Sequence, residues 1–149
     1  VGGSVTENVP YFLLFNAKGS QGVRTVAHNS FDTIRYKEFL SSDFINIFYS
    51  HDFGYWNFFN NQRFRPRLEV AVNAGWGRLL NRNNHQKIDF KTMEKGFIET
   101  GFLMNNLLTL RVYSLKIGLG IGYYLRLGAY AEQNLRDDSY IKISTNFNL

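Results

Sequence analysis

Between Tyr113 and Leu127 every odd position carries a large apolar side chain: Tyr113, Leu115, Ile117, Leu119, Ile121, Tyr123, Leu125 and Leu127. The even positions between them are Ser114, Lys116, Gly118, Gly120, Gly122, Tyr124 and Arg126, small or polar. Strict period-two alternation predicts one extended strand with an apolar face and a wet face. Its length narrows the reading further. A strand in a water-soluble domain usually runs about 5–6 residues, whereas a tilted strand crossing a bilayer needs roughly 9–11. This one is long enough to cross.

The pattern recurs along the chain. In residues 139–149, Ile141, Ile143, Thr145, Phe147 and Leu149 fall on one side, and Lys142, Ser144, Asn146 and Asn148 on the other. Residues 65–77 set Leu68, Val70, Val72, Ala74 and Trp76 against Arg67, Glu69, Ala71, Asn73 and Gly75. In 96–106, Ile98, Thr100, Phe102 and Met104 oppose Phe97, Glu99, Gly101, Leu103 and Asn105, and 106–113 is expected to hold a short turn. Residues 43–58 read as a strand apolar on both faces, with 31–40 as its hairpin partner turning at Ser41, Ser42 and Asp43. Residues 9–15 read as a weaker strand. The expectation is an all-β fold: an antiparallel up-and-down transmembrane β-barrel segment, 1–149 forming one domain or part of one. Leu115, Ile117, Leu119, Ile121, Ile141 and Ile143 would then face lipid, and Gly118, Gly120 and Gly122 the lumen.

Connection lengths fit that topology. With the C-terminus on the periplasmic side, the long stretches 78–95 and 129–138 fall outside and the short ones 60–64 and 106–113 inside, as in outer-membrane barrels. Tyr55, Trp56, Phe58 and Phe59 then lie near the inner interface and Trp76 near the outer one, at the depth amphipathic rings prefer. Six or seven strands fall short of the even number from about 8 upward usual in single-chain barrels. An open edge in lipid would strand backbone groups without partners. The segment therefore reads as the C-terminal strands of a larger barrel. It opens on Val1 with no charged or apolar leader, which reads as a processed form or a fragment.

Composition trims the alternatives. No run nears the roughly 18 apolar residues of a membrane helix, and the mean hydropathy of -0.26 is ordinary for a barrel whose strands are half wet. With 14 Phe and 9 Tyr the chain is rich in rings, which suits strands with aromatic girdles. Cysteine is absent, removing disulfides, thiolate metal sites and Cys nucleophiles. The net charge of +5 is scattered rather than clustered, so nucleic acid is not an expected partner.

Candidate chemistry is sparse. Gly118, Gly120 and Gly122 lie inside a strand at period two, not on the strand-to-helix turn of a dinucleotide fingerprint. They either relieve crowding in a twisted strand or make room for a plug, loop or neighbouring backbone. His28, His51 and His85 are far apart in sequence, so no metal site is expected. Ser50, His51 and Asp52 contain the residue types of a hydrolase, but neighbours on one strand point to opposite faces. No catalytic residue and no cofactor are expected. Asp89, Lys91, Glu94 and Lys95, beside Phe90 and Met93, belong either to an outer loop folded into the lumen or to a solvated one. Arg67, Glu69 and Glu99 can pair across strands, lining the interior or bracing a plug.

Two resemblances follow from particular residues. Lys142, Ser144, Phe147 and Leu149 stand where the C-terminal insertion signal of bacterial outer-membrane barrels has its marked positions, although Ser144 replaces the common Gly and Leu149 the commonest Phe. Further, Val9-Pro10-Tyr11, residues 35–43, Tyr49-Ser50-His51-Asp52-Phe53, Asn73-Ala74-Gly75-Trp76-Gly77, residues 84–96 and Tyr124-Leu125-Arg126-Leu127-Gly128 together resemble a known family. It is the C-terminal β-barrel of Bacteroidetes-type outer-membrane proteins that carry an N-terminal carboxypeptidase-like regulatory domain. The final strands are also loosely similar to surface-antigen-type assembly barrels. The likeness implies a Gram-negative outer membrane and a larger parent. The regulatory domain is a non-catalytic sandwich in that family, so it implies no peptidase. Expected partners are outer-membrane lipid and lipopolysaccharide, the barrel-assembly machinery during insertion, and other outer-membrane subunits. The expected role is non-enzymatic: transport, outer-membrane assembly or surface anchoring. The alternatives are a soluble β-barrel holding a hydrophobic ligand, with apolar faces turned inward, or a barrel subunit completed by a partner chain.

Overall fold

The computed structural model describes residues 1–4, 10–56, 64–80, 91–113, 115–132 and 134–148. They form eight strands: β1 (Gly2–Ser4), β2 (Phe15–Asn16), β3 (Leu40–Ser41), β4 (Asp43–Tyr55), β5 (Arg67–Arg78), β6 (Phe97–Val112), β7 (Leu115–Leu127) and β8 (Ser139–Asn148). One short helix, α1 (Leu135–Asp138), precedes β8. Six strands make a single antiparallel sheet in the order β1-β4-β5-β6-β7-β8, and β2 pairs with β3 beside it. From β4 onward each long strand lies against the next in sequence, which is an up-and-down meander. Among the described residues the sheet is open, with β1 and β8 at its edges.

The long strands follow from their alternation. β4 and β7 each run 13 residues, about 43 Å at roughly 3.3 Å per residue. At a tilt of about 45° such a strand covers the roughly 30 Å of a hydrocarbon core. Tyr55 and Trp76 lie at opposite ends of the β4–β5 pair, since Tyr55 faces Arg67 while Trp76 faces Ile45. Phe58 and Phe59 fall outside the described residues.

Three boundaries differ from those expected. The stretch 106–113 is not a turn: β6 continues to Val112, which pairs with Leu115, leaving Tyr113 at φ 54° in the hairpin turn. The apparent break at Asn106 is a bulge, where Met104 pairs with Ile121 but Leu108 with Leu119. Two extra residues on β6 keep the parity, so Leu108 and Leu110 stay on the same face as Met104. Residues 31–40 are not a hairpin partner of β4; only Leu40–Ser41 is extended, and it pairs with Phe15–Asn16. Within 9–15, the described part forms a 3-10 turn at Tyr11–Leu13 before β2 begins.

The physical reason is where residues 10–42 go. Apart from a parallel bridge between Thr25 and Ile143 on the edge of β8, they do not join the sheet but fold against its inner face, and Phe31, Ile34 and Phe39 are fully buried there. With Ala17, Met93 and Phe97 they form the main apolar cluster, against which Phe48 and Tyr130 pack. Phe97 and Tyr130 both pack on Phe39, their ring centroids 5.7 and 5.0 Å away, edge-on. A run with Phe31, Ile34 and Phe39 at irregular spacing fits this irregular packing better than a pleated ladder.

Candidate functional site

The two faces of the sheet have opposite chemistry, and the apolar one points out. Ile47, Ile141 and Phe147 are 60%, 69% and 65% exposed. Ile45, Tyr49, Phe53, Phe102 and Ile143 share that face, as do Leu115, Ile117, Leu119 and Ile121. The inner face carries Asn46, Asn73, Glu99, Asn105, Arg126, Lys142 and Ser144, all buried. Burying a charge is costly unless it is paired and hydrogen-bonded, and the interior segment supplies the partners.

Three inner-face charges hold that segment. Lys142, on β8, places Nζ 2.6 Å from Asp32 Oδ1, and both side chains are nearly inaccessible, at 1% and 2%. The same ammonium donates to the Ser20 carbonyl at 2.6 Å and to Ser20 Oγ at 2.9 Å, so its three donors are used. Glu99, on β6, accepts from the Asp32 and Thr33 backbone N–H groups at 2.9 and 3.0 Å, from Thr33 Oγ1 at 2.7 Å and from Asn73 Nδ2 at 2.8 Å. Arg126, on β7, forks onto Glu38, with Nη1 and Nη2 at 2.9 and 3.0 Å from the two carboxylate oxygens. Its Nη2 also donates to the Thr33 carbonyl, and its guanidinium stands 5.3 Å over the Phe97 ring. Burial by itself would raise the Glu38 carboxyl; the Arg126 fork and the Arg35 backbone N–H outweigh it and hold the group below its ordinary value of 4.5.

Below the apolar cluster lies a cavity of about 130 Å³. Its walls are residues 26–30 and Asp32 of the interior segment and the inner faces of β4 to β8, with Glu69, Asn73 and Asn105 among them. The cavity adjoins the Tyr55 side of the sheet, since Glu69 and Asn105 pair near Asp52 and Arg67.

The expected site residues divide by face. Lys142 and Ser144 point inward, Lys142 to Asp32 and Ser144 Oγ to Asn105 Oδ1; Phe147 points outward, and Leu149 lies outside the described residues. The glycines expected to face a lumen divide between the two readings given for them. A Cβ at Gly118 would collide with the Asn106 side chain, and one at Gly120 with the Met104 carbonyl and Ser144 Oγ, so both accommodate the β6 bulge. At Gly122 it would meet the Tyr124 ring at 3.1 Å and Val26 of the interior segment at 3.4 Å. Arg67 pairs with Asp52, Glu69 takes a bond from Asn105 at 2.9 Å, and Glu99 braces the interior segment.

The described end of the 78–95 stretch folds inward. Met93 is buried against the apolar cluster, Thr92 gives its carbonyl to Tyr130 Oη at 2.5 Å, and Lys91 lies 3.7 Å from Glu38. Glu94 accepts the Trp76 indole N–H through its carbonyl, and Lys95 N–H donates to Tyr130 Oη. Asp89, Phe90 and His85 lie outside the described residues. His51 is exposed and stacks edge-on to Phe53, 4.6 Å between centroids, and His28 is at the cavity rim. Among the described residues no three His, Cys, Asp or Glu groups come together as a metal site. No helix there is long and apolar enough to cross a membrane, which bears on helices only.

Sequence reasoning missed Ser20, Asp32, Thr33 and Glu38. The available signal was Arg126 and Lys142 on the wet face of strands, since each buried cation requires an acidic partner. Which acid would answer each was not encoded in any spacing. Compared with family models, curated proteins and solved structures, the chain matches none.

Proposed function

We propose that this chain is a section of the wall of a non-enzymatic β-barrel in a Gram-negative outer membrane, its interior occupied by its own residues 10–42. The observation that carries the reading is the sidedness of the sheet. A broad apolar face turned to the surroundings and a polar, hydrogen-bonded interior suit acyl chains outside and water or a plug within. Soluble monomers rarely expose an apolar patch beyond a few hundred Å². The soluble ligand-binding barrel would need the reverse sidedness. Backbone groups along an edge in lipid need partners, so further strands would close the sheet, whether from the same polypeptide or from a partner subunit.

Within this reading the packed cluster around Phe31, Phe39 and Phe97 argues against a permanently open pore and for anchoring or assembly at the surface. Gated transport is the second reading, favoured by the cavity and by a segment held through ionic contacts. Lys142, Ser144, Phe147 and Leu149 would serve as the insertion signal, and lipopolysaccharide would meet the Trp76 end. The test is insertion: the chain should enter liposomes and migrate as a heat-modifiable band. Removing residues 147–149 should abolish that in the presence of the assembly machinery. A chain that is monodisperse in detergent-free buffer would overturn the membrane reading.

A further inference from the structure

We infer that the cavity beneath the interior segment is a binding site for a small organic cation of the alkylammonium class. Its volume of about 130 Å³ is close to the roughly 150 Å³ that holds one benzene ring, which sets the ligand at about six non-hydrogen atoms. Its lining is mixed: Phe48 and Tyr124 contribute rings, Asn105 and Asn146 amides, and Glu69 and Asp32 carboxylates. Among the described lining residues there is no Lys or Arg.

The charge balance selects the ligand. Asp32 is already answered by Lys142. Glu69 is not: among the described residues it accepts from Asn105 Nδ2 and makes no ion pair. Among the described inner-face groups the ion pairs are Asp32 with Lys142, Glu38 with Arg126 and Lys91, and Asp52 with Arg67, which leaves Glu69 and Glu99 without a cation, and Glu99 is already met by four hydrogen bonds. An anion would enter a cavity whose described lining holds two carboxylates and no Lys or Arg. A neutral solute would leave the Glu69 charge unmatched. An ammonium satisfies the carboxylate through a charge-assisted hydrogen bond and finds aromatic faces within the same space. Divalent metal fits less well, because no third carboxylate or imidazole converges there.

The inference rests on the inner face alone and not on the membrane reading; a water-soluble chain that bound the cation would remove that reading and leave this one standing. The experiment titrates the full chain in a nonionic detergent with n-butylammonium, n-pentanol and butyrate, followed by calorimetry. Saturable n-butylammonium binding at least tenfold tighter than that of the other two is expected. Glu69→Gln should weaken it about tenfold while n-pentanol binding stays unchanged. Asn146→Asp, which adds a carboxylate to the wall, should tighten it severalfold and keeps the test open if Glu69→Gln fails to fold. Equal binding of the cation and n-pentanol, or a folded Glu69→Gln chain that binds the cation as before, overturns the proposal.

Discussion

The outward and inward faces of this sheet are built from the same strands, yet they solve opposite problems. Ile121 and Ile143, paired across β7 and β8, look outward. Their neighbours Gly122 and Lys142, one residue along, look inward. The outward face is uniform, and any large apolar residue serves there. The inward face is specific, because each buried charge meets its own set of partners at one place. Tolerance outside and exactness inside is the reverse of a water-soluble sheet, whose packed face is apolar.

The largest break in this contrast should come from one half of a buried pair. Lys142→Met leaves Asp32 buried and unpaired and should cost about 3–5 kcal/mol, read as a lower urea midpoint in detergent. The double variant Asp32→Leu with Lys142→Met should recover most of that loss, and no recovery would mean that the pair is not what these residues contribute. A charge on the other face is the matching test. Ile121→Arg should cost about 2–4 kcal/mol near a bilayer midplane and little in water. Equal stability of this variant and the parent in liposomes would show that the face does not meet lipid.

Gly118→Val probes the boundary between the faces. A side chain there meets Asn106 in the β6 bulge, and overpacking of this kind typically costs about 1–3 kcal/mol. The smallest effect should be that of pH on Glu38. Its carboxyl titrates below its ordinary value in the folded chain, so folding binds fewer protons than the unfolded state. The Arg126–Glu38 contribution is therefore complete above the unfolded value and is lost as pH falls through the lower folded one. Tryptic cleavage at Arg35 and Lys37 in limited digests after acid pulses should rise over that window, and Glu38→Gln should flatten the rise.

These faces also differ in how far they could be read from sequence. The alternation of Leu115 to Leu127 and of Ile141 to Phe147 specifies strand, face and extent, because period two is a local property of the backbone. It also placed Glu99 and Lys142 on the wet side. The interior segment has no such local signature. Phe31, Ile34 and Phe39 have no common period, and the positive φ of Asn29 and Lys37 reflects turns dictated by the surface on which they settle. Asn106 misled for the related reason that a bulge resembles a turn until its partner strand is seen. The partners of Arg126 and Lys142 lie far back in the chain, at separations that no spacing rule covers.

That separation has a kinetic consequence. Ser20 and Lys142 are 122 positions apart, Thr33 and Arg126 are 93 apart, and Thr33 and Glu99 are 66 apart. The interior segment lies upstream of all its anchors and gains the last of them, Lys142, only once β8 is in place, and such distant closures are slow. Until then its phenylalanines have nowhere to hide. The order of events is thus written into the fold: wall before filling, with the upstream stretch kept waiting until β8 arrives.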